Sequence, residues 1–294
     1  MPSSRRIWVL ADPHIGHVSD GRDGGEWLDG VTADRHAHLG PMDYALNLGD
    51  VSHAAQDDQF ARWAAWRDGC GVSPWFEIVG NHDFAGLETG AYQRQVRRPR
   101  YWSMLDGNLA FFSLPAERGN AAGLLIPPVE AWLREQIAAA GRRNIIIVAH
   151  QFPYETVARS TQPARCLYPR DAVERFLGEV HVDLWLGGHI HSGGRTAAWS
   201  AVRNGTTFIN AASASHTYNT GMCNTFVLEL AAGSAEGVAR CRDHDGQRWL
   251  DDFQVPLRFA YPFEPAEPGP VFMPADLVIP PHYSRIDDEQ VAGF

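Results

Sequence analysis

Residues 75–83 read Trp-Phe-Glu-Ile-Val-Gly-Asn-His-Asp. Trp75–Val79 is a short, mostly apolar run, rich in aromatic and β-branched residues, and it predicts a buried strand. At Gly80 the strand gives way to Asn81, His82 and Asp83, side chains that bind metals and move protons. The same grammar recurs in order along the chain. Ile7–Ala11 ends in Asp12-Pro13-His14, and Tyr44–Leu48 in Gly49-Asp50. Asn144–Ala149 ends in His150, and Val182–Leu186 in Gly187-Gly188-His189-Ile190-His191. Ala110–Leu114 is a further run of this kind. The tetrapeptide Gly-Asn-His-Asp arises by chance about once per thousand chains of this length. With four more polar clusters, each at a predicted strand end, coincidence is a poor account of it.

Helices are predicted between the strands. Asp57–Asp68 carries two acids in its first turn, where the helix dipole favours them, and spaces Phe60, Trp63, Ala64 and Trp66 for one face. Val129–Ala140 follows two prolines and repeats Val129, Trp132, Leu133 and Ile137; Asp171–Leu177 is a shorter helix. Alternating strands and helices predict an α/β fold whose working residues lie at strand C-terminal ends. After Gly194 the texture turns β-rich, with strands over Thr206–Asn210, Thr225–Leu230 and Gly237–Arg242. Eight of the 19 prolines fall in the last 44 residues. Residues 1–255 therefore read as one domain and 256–294 as an irregular tail. The tail is expected to lie across the surface or on a partner subunit, which makes a homo-oligomer through it one expectation.

All 25 basic residues of the 294 are arginine. The absence of lysine excludes a Walker-type phosphate loop, a Schiff-base lysine and a Ser-Lys dyad. An Arg- and Ala-rich, lysine-free chain also points to a GC-rich bacterial genome. The net charge of −10 opposes nucleic-acid binding through phosphates. The four cysteines show no C-x-x-C spacing and read as buried or free thiols. Neither a signal stretch nor an 18-residue apolar run is present, so no membrane contact and a cytoplasmic location are expected. Carboxylates, imidazoles and one amide suit borderline divalent metals and Fe(III). Seven such ligands with one shared carboxylate hold a pair of ions, which clamps an in-line displacement.

These residues resemble the calcineurin-like metallophosphoesterases, whose pattern is D-x-H, G-D, G-N-H-[DE], H and G-H-x-H. Every position is filled, and the resemblance covers residues 7 to about 230. It implies a four-layer α/β/β/α sandwich with two central mixed sheets. It implies that Asp12, His14 and His191 bind one metal, that Asn81, His150 and His189 bind a second, and that Asp50 bridges them. The cofactor is then two divalent or mixed-valence ions of Mn, Fe or Zn, with a metal-bridging hydroxide attacking phosphorus. His82 faces the substrate as general acid, and Asp83 is expected to orient its imidazole. The first substrate expectation is a small, cyclic-nucleotide-like phosphodiester. A phosphomonoesterase, an Mre11-like nuclease and a non-catalytic scaffold like the retromer subunit of this fold are the alternatives.

His53, three residues after Asp50, is expected to bind substrate, with helix capping as its alternative. It stands where purple acid phosphatases carry a ligand Tyr and Mre11-like nucleases a His. His17 is expected to be an ordinary loop residue. Arg94, Arg97, Arg98 and Arg100 are expected on a solvated face, with substrate attraction as the alternative. Asp20–Asp29 reads as an acidic loop, either a lid or plain surface. Asp34-Arg35-His36 and His36-Ala37-His38 imitate motif pieces but follow no apolar run, and read as solvated. Ser213 and Ser215 lack the sequence of a nucleophile elbow.

Overall fold

The computed structural model describes residues 4–119, 122–192, 198–216 and 223–269. Two mixed sheets form its centre. In the first, Ser4–Leu10, Tyr44–Asn47 and Trp75–Glu77 run parallel. Asn224–Ala231 joins Ser4–Leu10 antiparallel, and Glu236–Asp243 and Arg248–Trp249 extend the sheet outward. In the second, Leu109–Leu114, Asn144–Ala149, Leu184–Gly187 and Thr206–Asn210 run parallel. Ser103–Asp106 and Ser200–Arg203 close its edges antiparallel.

Strand alternation creates the layers. Ile7 and Val9 point between the sheets and meet Tyr44, Leu46, Phe111, Ile146, Val148 and Leu186 in one core. Trp8 and Leu10 point the other way, to Trp27, Leu28, Val31, Phe60 and Trp63 of the helices Gly24–His38 and Asp57–Gly69. On the far side Ile145, Ile147, Trp185 and Phe208 pack under Pro127–Ala140 and Arg170–Glu179. Three cores between four layers make the expected α/β/β/α sandwich.

Three expectations change. Residues 24–29 open a 15-residue helix rather than completing a loop. The Asp23 carboxylate accepts the Gly25 amide while Glu26 accepts the Asp23 amide, a capping box hidden behind two glycines. Asp34 is buried, not solvated, and Arg242 donates to both its oxygens at 2.8 and 2.6 Å. Residues 256–258, placed in the irregular tail, belong to the edge strand Val255–Arg258, which pairs with Glu236–Asp243. Farther along, the Tyr261 and Glu264 amides donate to the side chains of Asn144 and Asn108. The rest of the expected tail, 270–294, lies outside the described residues.

Candidate metal centre

Parallel strands end on one side, and their following loops are stitched together. The Asp12 amide donates to the Gly49 carbonyl at 3.0 Å and the His14 amide to the Asp50 carbonyl at 3.1 Å. The Gly188 amide donates to the His150 carbonyl at 3.1 Å, joining the two loops of the second sheet. Close approach needs glycine at two places. A Cβ at Gly80 would lie 2.1 Å from Asp50 Oδ1, and one at Gly188 would lie 2.5 Å from Asp12 Oδ2. Asp12, His14, Asp50, His189 and His191 all have positive φ, from 45° to 64°. Non-glycine residues enter that region at a cost and gather there at functional sites.

Two buried donor groups result. The first is Asp12, His14, Asp50 and His191. His191 Nε2 lies 3.2 Å from both His14 Nε2 and Asp12 Oδ1. The second is Asp50, His150 and His189. His150 Nε2 lies 3.0 Å from Asn81 Oδ1. Asp50 belongs to both: its Oδ2 is 3.5 Å from His14 Nε2 and 3.3 Å from His150 Nε2. Its Oδ1 accepts the His82 amide at 2.8 Å, which fixes the carboxylate plane. His150 Nδ1–H donates to the Leu48 carbonyl at 2.8 Å, which turns Nε2 toward Asn81 and Asp50; that nitrogen offers its lone pair to a cation once its own proton is displaced.

The electrostatics match a cation site. Burial opposes ionising Asp50, yet His150, His14 and His82 hold it well below the usual carboxylate range. Burial also opposes charging His150, but Asp50 and then Asp12 push it up to about 9. His14, buried among imidazoles, is held well below the usual histidine value, chiefly by desolvation. Two sequestered carboxylates facing imidazole nitrogens, with no sulfur donor, fit borderline divalent metals.

The Calcineurin-like phosphoesterase family model matches residues 5–193, the stretch that supplies every one of these donors. The chain belongs to the calcineurin-like phosphoesterase family.

Several solved structures align with the chain. Purple acid phosphatase from yellow lupin is 13% identical, with 88% of this chain and 54% of that one covered at a TM-score of 0.61. NAD nucleotidase from Haemophilus influenzae is 10% identical over 87% of this chain and 49% of that one, TM-score 0.48. Vps29 from Chaetomium thermophilum is 12% identical over 87% and 99%, TM-score 0.43. The chain thus spans about half the length of the first two. No curated protein matches its sequence.

Around this phosphoesterase-family centre the structure revises several expected roles. His82 packs edge-on to His14, ring centroids 4.7 Å apart. Its Nδ1 lies 2.8 Å from the His53 carbonyl, not against Asp83, and donates to it when protonated there. Asp83 instead accepts the amides of Val51, Ser52 and Gly80 at 3.2, 2.9 and 3.0 Å, and the Ser52 hydroxyl. It ties the Asp50 loop to the Asn81 loop, while burial and the Asp50 charge push it up to about 7. The imidazole of His53 stacks on His82 and lies 4.6 Å from that of His17, so His17 joins the site rather than an outer loop. Desolvation first, then neighbouring imidazoles, lowers the pKa of both.

The arginines after Gly-Asn-His-Asp are engaged elsewhere. Arg94 pairs with Asp57, Arg98 with Glu77 and Arg100 with Glu117, while Arg97 donates to the Arg94 carbonyl. Ser213 Oγ donates to the Asp12 carbonyl at 2.8 Å and so supports a donor loop. Arg165 escaped sequence reading: Nη1 donates to the His189 carbonyl at 2.9 Å. No motif or periodicity marks it.

Proposed function

We propose that this chain is a metal-dependent phosphoesterase that hydrolyses small phosphodiesters, with a cyclic nucleotide as the first candidate. The observation that carries the reading is Asp50 Oδ2, set between His14 Nε2 and His150 Nε2 at 3.5 and 3.3 Å, where one carboxylate serves two donor groups. Asp12, His14 and His191 would hold one ion, Asn81, His150 and His189 the other, and Asp50 both. Such a pair, of Mn, Fe or Zn, supplies the charge that activates water and neutralises phosphoryl oxygens. His82, once protonated, donates to the leaving oxygen while its ring is held by the His53 carbonyl. His53 adds a hydrogen-bond donor beside it.

Diester preference rests on the surroundings. The near side is lined by His17, His53 and His82, with burial and mutual repulsion lowering the first two. Arg94, Arg98 and Arg100 are spent on carboxylates. A monoanionic diester suits this wall better than a dianionic monoester. Among the described residues no helix is long and apolar enough to cross a membrane. A cytoplasmic location belongs to the same reading.

The test is metal reconstitution followed by turnover of monoesters, diesters, cyclic nucleotides and single-stranded DNA. Two ions per chain and diester turnover are expected, with Asp50→Asn losing an ion and more activity than any other single donor change. Full activity at one ion, or Asp50→Asn with two ions and a near-normal rate, refutes the shared carboxylate. Faster monoester turnover refutes the diester preference.

A further inference from the structure

The parallel strands of the second sheet have a far end, away from the donor groups. There the Asp183 amide donates to the Ile145 carbonyl at 2.9 Å and the Thr207 amide to the Asp183 carbonyl at 3.0 Å. The chain leaving the edge strand Val255–Arg258 crosses this end, and the Ala260 amide donates to Asp183 Oδ1 at 2.7 Å. Beside the hairpin of Ser200–Arg203 and Thr206–Asn210, the crossing leaves a groove of about 550 Å³ lined from both sheets. His189 follows the start of the strand Leu184–Gly187 by five residues. At about 3.3 Å per residue the groove is thus roughly 15 Å from the donor groups.

The groove combines an apolar wall with an uncommitted cation. Val202, Pro256 and Phe259 supply the wall. Val202 is 70% exposed, more than any other large apolar side chain among the described residues. Arg258 also borders the groove, and its guanidinium makes no ion pair or hydrogen bond among the described residues. Glu236 stands opposite it in the ladder but forms no ion pair with it. The acid of the groove is already engaged. Asp183 is buried and accepts the Ile145 and Ala260 amides at 2.7 Å each, and His181 Nε2–H at 3.1 Å. The buried Thr207 hydroxyl adds a polar group without a partner among the described residues. A concave apolar wall with a few polar groups is the usual form of a small-molecule site.

We propose that this groove binds a small aromatic carboxylate, its flat body against Val202, Pro256 and Phe259 and its carboxylate in the fork of Arg258. A guanidinium pairs with a carboxylate through two parallel N–H···O bonds, and the Phe259 ring offers an aromatic partner. With one guanidinium and the Asp183 charge nearby, a single negative charge is favoured over the two of a phosphate monoester. The site is separate from the metal centre, and the proposal does not rest on the phosphoesterase reading.

The experiment titrates 2-naphthoate into the full chain, loaded with Mn²⁺, by calorimetry, with 2-naphthalenemethanol as the neutral counterpart. A Kd of about 0.1–1 mM is expected for an acid of this size in an open groove. The alcohol should bind roughly 10-fold more weakly or worse. Arg258→Gln should weaken naphthoate binding about 10- to 100-fold, the range for a hydrogen bond to a charged group. Arg258→Lys should recover part of that loss, because charge returns without the fork. Val202→Asp should abolish binding by setting a carboxylate in the apolar wall. Both positions are exposed, so these variants should keep the wild-type Tm, metal content and diester turnover. No binding to the wild type, equal binding of acid and alcohol, or binding that survives Arg258→Gln and Val202→Asp overturns the proposal. So does binding that vanishes when chelation strips the metal, since the acid then sits on the ions.

Discussion

Replacing Asp34 by Ala should destabilise the protein severely without touching the metal centre. The carboxylate is 1% exposed and accepts from Nε and Nη2 of a 3%-exposed Arg242. It also accepts His244 Nδ1–H at 2.7 Å, while His244 Nε2 accepts the Thr225 hydroxyl at 2.8 Å and Thr225 Oγ1 accepts the Trp8 indole N–H at 2.9 Å. Removing Asp34 strands a buried guanidinium and one imidazole N–H. Breaking one side of such a pair costs about 3–5 kcal/mol. For a domain of this size that is a drop of about 10 °C in Tm. Burial alone would raise the Asp34 pKa, but the bonds and charges of Arg242 and His244 hold it far below the carboxylate range. Its folded pKa is thus depressed. The stabilisation is complete above the unfolded value near 3.9 and drains away as pH falls below it, at about 1.4 kcal/mol per pH unit. His244 acts with the same sign, because burial lowers its folded pKa and the unfolded chain takes up the proton first. Denaturant unfolding of wild type and Asp34→Ala from pH 7 to pH 3 should show a wide gap that narrows below about pH 4. A gap under about 1 kcal/mol at pH 7, or one that stays constant into acid, refutes the reasoning. Adding Arg242→Met to Asp34→Leu should restore much of the loss, because the unpaired charge is then gone.

His82→Ala should retain both ions but lose roughly 10²–10⁴-fold in kcat on alkyl diesters, and far less on aryl diesters whose leaving groups need little protonation. Equal losses on both refute the general acid. Asp83→Ala should weaken metal retention, since three amides and a hydroxyl from the two donor loops lose their acceptor. Its loaded fraction should keep the wild-type dependence on leaving-group pKa, and an alkyl-selective loss like that of His82→Ala would restore Asp83 as the group that orients the imidazole.

The sequence was most readable where one residue type answers one physical demand. Asn144–Ala149 and Thr206–Asn210 were predicted to the residue, because apolar runs bounded by polar turns have few alternatives. Helix Gly24–His38 was hidden because Gly24 and Gly25 break the propensity signal, and only the cap identifies its start. Asp34 looked like surface because its partners, Arg242 and His244, lie more than two hundred residues away. No local pattern can report such a pairing. Asp83 was misassigned for the opposite reason: adjacency to His82 in sequence implied contact. The chain instead turns there, sending one side chain into the loops and the other toward the cleft.

Backbone and chemistry select the same residues at this centre. Five donors, Asp12, His14, Asp50, His189 and His191, sit in left-handed conformations at roughly 1 kcal/mol or more apiece. Against a typical total stability of about 5–15 kcal/mol that is a substantial debit. Aspartate and histidine enter this region more readily than most side chains. They are also the residues whose oxygens and nitrogens suit a borderline metal. The strain persists because neighbouring loops over-determine it. The Asp12 and His14 amides are bonded to the Asp50 loop, the His189 amide donates to the Asp12 carboxylate at 2.9 Å, and Ser213 holds the Asp12 carbonyl. A donor therefore cannot relax into an ordinary conformation without breaking the bonds that place its neighbour. This coupling makes the positions of the two donor groups a property of the whole sheet end, and not of any single loop.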